Sequence, residues 1–171
     1  MTIQNTRRTY AYYLDILKNR AHRITSPIVG DSADISSEYT VYDYQGSTNY
    51  SLSSFFTPQT PVTIILVSGS LTISSSFSLN PSQSVVFITQ GDITIDGDIT
   101  TIPGLYMTDT VFRVASGPDP ITIEGMVYAQ SLSLNRTFQS DTQPTYQFVY
   151  QPKYLIHLLP YMGKQQVRWR E

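Results

Sequence analysis

The residues from Val62 to Leu134 repeat themselves, and this repeat restricts the fold more than any other feature of the chain. A shift of 22 places carries Ile65 onto Phe87, Gly69 onto Gly91, Leu71 onto Ile93, Ile73 onto Ile95, Phe77 onto Ile99 and Pro81 onto Pro103. A second shift of the same size carries Leu105 onto Val127, Tyr106 onto Tyr128 and Met107 onto Ala129. Apolar residues alternate against Ser, Thr and Asp within each unit, which means short strands separated by turns and stacked coil on coil. The fold class that follows is all-β: a single-stranded right-handed parallel β-helix (β-solenoid) of about four coils, each of about 20–22 residues and about three strands. Side chains alternate along a strand, so Ile93, Ile95 and Ile99 are expected to point inward while Asp92, Thr94, Asp96 and Asp98 face solvent. The expected inward columns hold Ile65, Leu71, Ile73, Phe87, Ile93, Ile95, Ile99, Leu105, Met107, Val127, Leu132 and Leu134. Gly69, Gly91, Gly97, Gly104, Gly117 and Gly125 read as turns, and Pro81, Pro103, Pro118 and Pro120 as corners.

The ends of the chain differ from its middle. Residues 1–23 hold five basic and one acidic residue, 24–150 two basic and eleven acidic, and 151–171 four basic and one acidic. An acidic middle repels phosphate and argues against a nucleic-acid groove along the coils. A stripe of Tyr10, Tyr13, Leu14, Leu17, Ala21 and Ile24 predicts a helix from Thr9 to Ile24. An open solenoid end exposes unpaired backbone, so this helix is expected to lie over the first coil as a lid, with a membrane-surface or partner-binding helix as the rival. Residues 31–60 read as an irregular first coil with one or two short strands around Tyr39–Tyr42. After Asn135 the period is lost, and 137–143 read as a loop. Tyr146–Tyr150 reads as a last strand, and Pro152 opens a short helix through Leu159 that, with the tail to Glu171, is expected to lid the other end. The chain is therefore divided into one domain with a helical cap (1–30), coils (31–134), and a final strand with cap (135–171).

No run approaches the 18 or so apolar residues of a membrane span, Val62–Val67 being strand-sized, and no secretion signal is legible behind Arg7 and Arg8. Zero cysteines exclude disulfides and thiolate metal sites.

The second half of the chain is similar to a known group of proteins. Leu134-Asn135-Arg136, Pro144, Phe148-Val149-Tyr150-Gln151-Pro152-Lys153-Tyr154-Leu155, Leu159-Pro160, Gly163 and Trp169-Arg170-Glu171, preceded by Gly104-Leu105-Tyr106-Met107 and Gly125-Met126-Val127-Tyr128-Ala129, carry the likeness. Over residues 84–171 this pattern resembles the C-terminal end of large β-helical surface proteins of candidate-phyla bacteria. It departs from that group at Thr145, where Ala is usual, and at Arg170, where Gln is common. The resemblance implies an envelope-associated, non-catalytic module and transfers no active site.

Catalytic patterns are weak. A polysaccharide lyase or hydrolase on a β-helix needs carboxylates beside Arg or Lys, and the coils hold only Arg113 and Arg136. His22 and His157, one in each expected cap, have no Ser or Asp partner at a recognisable spacing. Asp92, Asp96 and Asp98 share an outward face and form the one candidate metal site, for Ca²⁺ through hard oxygen ligands; the competing reading is a solvated face that protects the sheet. No other cofactor is expected. Thirteen tyrosines are many for this length, and Tyr106 with Tyr128 could form an outward ladder that stacks on sugar rings, or could pack the solenoid. The sequence reads as a non-enzymatic structural or adhesive element of the bacterial cell envelope. Its expected place is the cell surface or outside the cell, with the cytoplasm as the alternative. Its expected partners are surface polysaccharide or other envelope proteins, without nucleic acid or membrane span. The alternatives are a carbohydrate-binding or carbohydrate-active β-helix, a bactofilin-like cytoskeletal polymer and a virion spike module; ligand and oligomeric state are open.

Overall fold

The computed structural model describes residues 10–24, 40–50, 61–137 and 144–162. Two parallel sheets face each other. Sheet A holds seven strands in the order β1 (Ala21–Ile24), β2 (Val41–Tyr44), β4 (Val62–Val67), β6 (Ser84–Thr89), β8 (Thr101–Thr108), β10 (Ile121–Tyr128) and β12 (Tyr146–Val149). Sheet B holds β3 (Thr48–Tyr50), β5 (Leu71–Ile73), β7 (Ile93–Ile95), β9 (Val111–Val114) and β11 (Ser131–Leu134). Each turn of the chain lays one strand in each sheet, from β2 and β3 to β10 and β11, which makes a β-solenoid. The coil thus has two strands instead of the expected three. The third side, residues 96–100 or 115–120 for instance, carries no strand because Gly, Pro and Asp there give no alternating pattern to pair.

Register shows how even the repeat is. Val41 faces Ile64, Val62 faces Ser84, Val86 faces Leu105, Thr101 faces Thr122 and Ile121 faces Tyr146, steps of 23, 22, 19, 21 and 25 residues. The 22-residue step therefore holds from β4 to β6 and from β5 to β7 and fails in the later turns. Leu105 pairs with Met126, Tyr106 with Val127 and Met107 with Tyr128, one place away from the expected alignment. A one-residue slip moves every side chain to the other face of the sheet. The offset is taken up at the next turn, where the amides of Gln130 and Ser131 both donate to the Thr110 carbonyl.

Two apolar layers result. Between the sheets run the columns Tyr42–Ile65–Phe87–Tyr106–Val127, Leu71–Ile93–Phe112–Leu132 and Ile73–Ile95–Val114–Leu134. The second layer lies on the outer face of sheet A. There Val41, Ile64, Leu66, Val86, Ile88 and Leu105 pack against Tyr10, Tyr13 and Leu17 of helix α1 (Tyr10–Leu17) and Tyr154 and Leu158 of helix α2 (Lys153–Leu158). All six residues of β4 and of β6 are consequently buried. This is why Val62–Val67 reads as an unbroken apolar run instead of an alternation.

The helices correct the expectation of lids. α1 contacts β4 and β6, and α2 contacts β6 and β8, so both lie against strands in the middle of the stack. α1 also ends at Leu17, and Ala21–Ile24, expected as its last turn, is strand β1 paired on β2. A helix this short gains little from propensity, and pairing on β2 satisfies the same backbone groups. Strand pairing thus begins inside the stretch expected to be cap. The tail residues 163–171 and most of the expected loop, 138–143, lie outside the described residues.

Four of the expected core positions differ. Met107 is half-buried and, like the buried Leu105, belongs to the outer layer; Leu132 and Leu134 are exposed although they occupy inward positions. Gly104, Gly125 and Pro103 sit inside strands β8 and β10, not at turns or corners. Gly104 has a φ of +133°, and a Cβ on Gly125 would lie 1.8 Å from the Gly104 carbonyl oxygen. The two paired strands approach each other here with room for hydrogen only.

Candidate functional site

The acidic residues proposed for calcium do not converge. Asp92 precedes β7 and Asp96 follows it, about 13 Å apart along an extended chain of four residues, whereas calcium ligands sit within about 2.6 Å of one ion. Asp92 is also engaged: the Val111 amide donates to its Oδ1 at 3.3 Å, and Arg113 approaches its Oδ2 at 3.7 Å. The Thr110 hydroxyl, the Val111 amide and Arg113 hold its pKa below the ordinary carboxylate value despite some desolvation. Asp96 moves the other way, raised first by desolvation and then by the neighbouring charge of Asp98. Among the described residues no group of three His, Asp or Glu side chains is placed to hold a metal ion.

The tyrosine ladder does not form either. Tyr106 points between the sheets, fully buried, with its ring stacked on Phe87 at 5.5 Å and 9°. Its hydroxyl donates to the Pro103 carbonyl at 2.8 Å, which satisfies a polar atom inside the core. Tyr128 lies on the opposite face, 47% exposed. The register slip separates them: Tyr106 pairs with Val127, not with Tyr128. Tyr128 borders a cleft with Tyr10, Ile88, Thr89, Met107, Thr108 and Asp109 that is too narrow to admit a water molecule.

Three polar constellations emerge that the sequence did not bring together. The Ser84 hydroxyl lies 2.6 Å from His157 Nδ1 and ties α2 to the first residue of β6. Ser84 is completely buried and His157 half-buried, so the pair sits in the joint between helix and strand. Arg136 is also buried, and its guanidinium donates to the backbone carbonyls of Asp119, Ile99 and Asp96. Its amide donates to the Tyr146 hydroxyl, which in turn donates to the Arg136 carbonyl at 3.2 Å. One side chain thereby ties the strandless side of three successive turns. Arg113, on the outer face of sheet B, links Asp92 of the preceding turn to Ser133 of the following one at 3.3 Å. His22 rests edge-on against Tyr42 with centroids 6.2 Å apart. Separations of 73 and 40 residues along the chain hide the first two constellations from any local motif search.

No described helix is long and apolar enough to cross a membrane. Comparison with protein-family models, with curated proteins and with solved structures gives no match for this chain.

Proposed function

We propose that this β-solenoid is a non-catalytic structural or adhesive module of the bacterial cell envelope. The observation that carries the reading is the use made of its polar side chains. His157 fastens a helix to a strand, Arg136 fastens its own turn to backbone carbonyls of the two turns before it, and Arg113 bridges two turns. Groups that an enzyme would aim at a substrate are here turned on the protein's own backbone and neighbours. The resemblance of residues 84–171 to β-helical surface proteins gives the envelope its place in the proposal. A carbohydrate-binding role is the second reading, and the outer face of sheet B favours it. That face lines up Thr72, Thr94, Arg113 and Ser133 in register, a flat hydroxyl-rich column with one guanidinium.

Two measurements test these readings. Fractionation of the source cells with an antibody to the chain should place it in the envelope fraction. Incubation with acidic and neutral polysaccharides should release no reducing ends and no unsaturated products. Cytosolic recovery removes the envelope role, and turnover of any polysaccharide removes the non-catalytic one. Saturable glycan binding lost in Arg113→Ala selects the second reading.

A further inference from the structure

The two sheets end at different heights. Sheet A continues to β12 beyond β10 whereas sheet B stops at β11, and among the described strands neither has a neighbour on its far side. The inward positions at this end are apolar and open. Leu132 stacks on Phe112, Leu134 on Val114 and Phe148 on Ile123; the three are 53%, 37% and 47% exposed, while the residues beneath them are wholly buried. Ser131–Leu134 and Tyr146–Val149 contain neither a charge nor a proline, the devices that usually keep a sheet edge from pairing. The opposite end differs: its edge strand β1 carries His22 and Arg23, and Tyr42 and Tyr44 next to it are buried.

We infer that the β11–β12 end is a self-association surface whose occupant is the same end of a second copy, related by a two-fold axis parallel to the strands. Only two or three residues separate each sheet A strand from the sheet B strand that follows it, and the two sheets share one core, so the chain turns back between them and their strands run in opposite directions. That axis therefore sets sheet A of one copy above sheet B of the other with the facing strands antiparallel. The raised β12 of each copy fills the step above β11 of its partner, and both sheets run on without a gap. Other stackings leave a hole. Among the described strands, placing β12 on β1 of a second copy leaves sheet B two strands short, and so does placing β12 on β12.

Charge and area agree with this occupant. Two uncharged edges meet without like-charge opposition, and Leu132, Leu134 and Phe148 of both copies close one apolar core. A coil is about 25 Å wide, from eight extended residues, and about 20 Å thick, from two sheets ~10 Å apart with their outward side chains. Each end thus presents roughly 500 Å², and the pair buries about 1,000 Å², the lower bound for a specific interface.

Sedimentation velocity of the whole chain from one to several hundred micromolar is the test. The expected result is a concentration-dependent dimer and nothing larger. Leu132→Lys and Leu134→Lys, at positions already exposed, should weaken it at least tenfold while the circular dichroism stays native. A chain that remains monomeric across the range, or that grows into longer oligomers, overturns the inference. Orientation is read independently, because the chain has no cysteine of its own. A mixture of Ser133→Cys and Gln147→Cys chains should cross-link through a short bis-maleimide, β11 to β12 of the partner, whereas neither variant alone should. Efficient cross-linking of either variant alone overturns the two-fold arrangement, and this readout stands even if the lysine variants fail to fold.

Discussion

At the scale of single residues the structure turns on positions where nothing else fits. Gly125 faces Gly104 across β8 and β10, and an added Cβ would meet the Gly104 carbonyl oxygen at 1.8 Å. The neighbour is backbone inside two paired strands, so it cannot move aside. Gly125→Ala should therefore cost at least about 3 kcal/mol, a fall of roughly 6–12 °C in Tm for a chain of this size, read by thermal melting. The two perturbed aspartates supply a pair of opposite signs. The pKa of Asp92 is lowered, so its contribution to stability is present above the ordinary value of 3.8 and is lost as pH falls through the depressed folded value. The pKa of Asp96 is raised, so its contribution is present below 3.8 and is lost as pH rises through the raised folded value. At pH 7 Asp92→Asn should lower the Tm and Asp96→Asn should raise it. Both effects should stay under about 1 kcal/mol because solvent screens these side chains, and the Asp96→Asn gain should disappear below pH 3.8. Melting both variants at pH 7 and pH 3 checks the signs; equal shifts of one sign would contradict the assignments. The inward positions Ile65, Leu71, Ile73, Phe87, Ile93 and Ile95 were legible from alternation alone, and all are fully buried. Tyr106 was not, because its face depends on a one-residue change of register that no local pattern announces.

At the scale of elements the sequence told more than its period. The alternation of Leu71-Thr72-Ile73 and Ile93-Thr94-Ile95 marks strands buried on one face, and both show that pattern. Val62–Val67 and Ser84–Thr89 are instead near-continuous apolar runs, the signature of strands covered on both faces. That contrast announces a layer over sheet A. The amphipathic stripe of α1 identifies one component of it, yet an apolar stripe carries no address, and so α1 was equally compatible with an end or a side of the stack. The address of α2 is given by contacts far along the chain. Ser84 to His157 and the packing of Tyr154 and Leu158 set it on sheet A. His157→Ala should leave the buried Ser84 hydroxyl unpaired, at a cost of about 1–3 kcal/mol. Adding Ser84→Ala should recover part of that loss, since a buried pair removed together leaves no orphan. Hydrogen exchange should show the amides of 153–158 losing protection in His157→Ala while β4 to β8 keep theirs. Unchanged exchange in α2 would show that its apolar side chains alone hold it.

For the whole molecule the question is whether a stack of coils unfolds as one body. Each strand pairs only with the strands above and below, so a bare solenoid behaves as a row of nearest-neighbour units that can fray from either end. The helical layer and Arg136 cut across that row. α1 joins β4 to β6, α2 joins β6 to β8, and Arg136 joins its own turn to the turn of Asp96 and Ile99 and to that of Asp119. Residues from distant parts of the chain, Tyr10 to Leu158, thereby share one apolar cluster on sheet A. Loss of any member weakens several coils together, and the expected behaviour is a single transition in urea with far-UV circular dichroism and tyrosine fluorescence superimposed. Leu17→Asp with Leu158→Asp puts an unpaired carboxylate under each helix and releases the layer. The inter-sheet columns remain, so the variant should keep strand signal yet unfold over a broader range, with a lower m-value and with fluorescence and dichroism no longer coincident. A variant that still unfolds in one sharp transition of unchanged m-value would mean that the stacked columns alone supply the cooperativity, and that the helices only shield an apolar face.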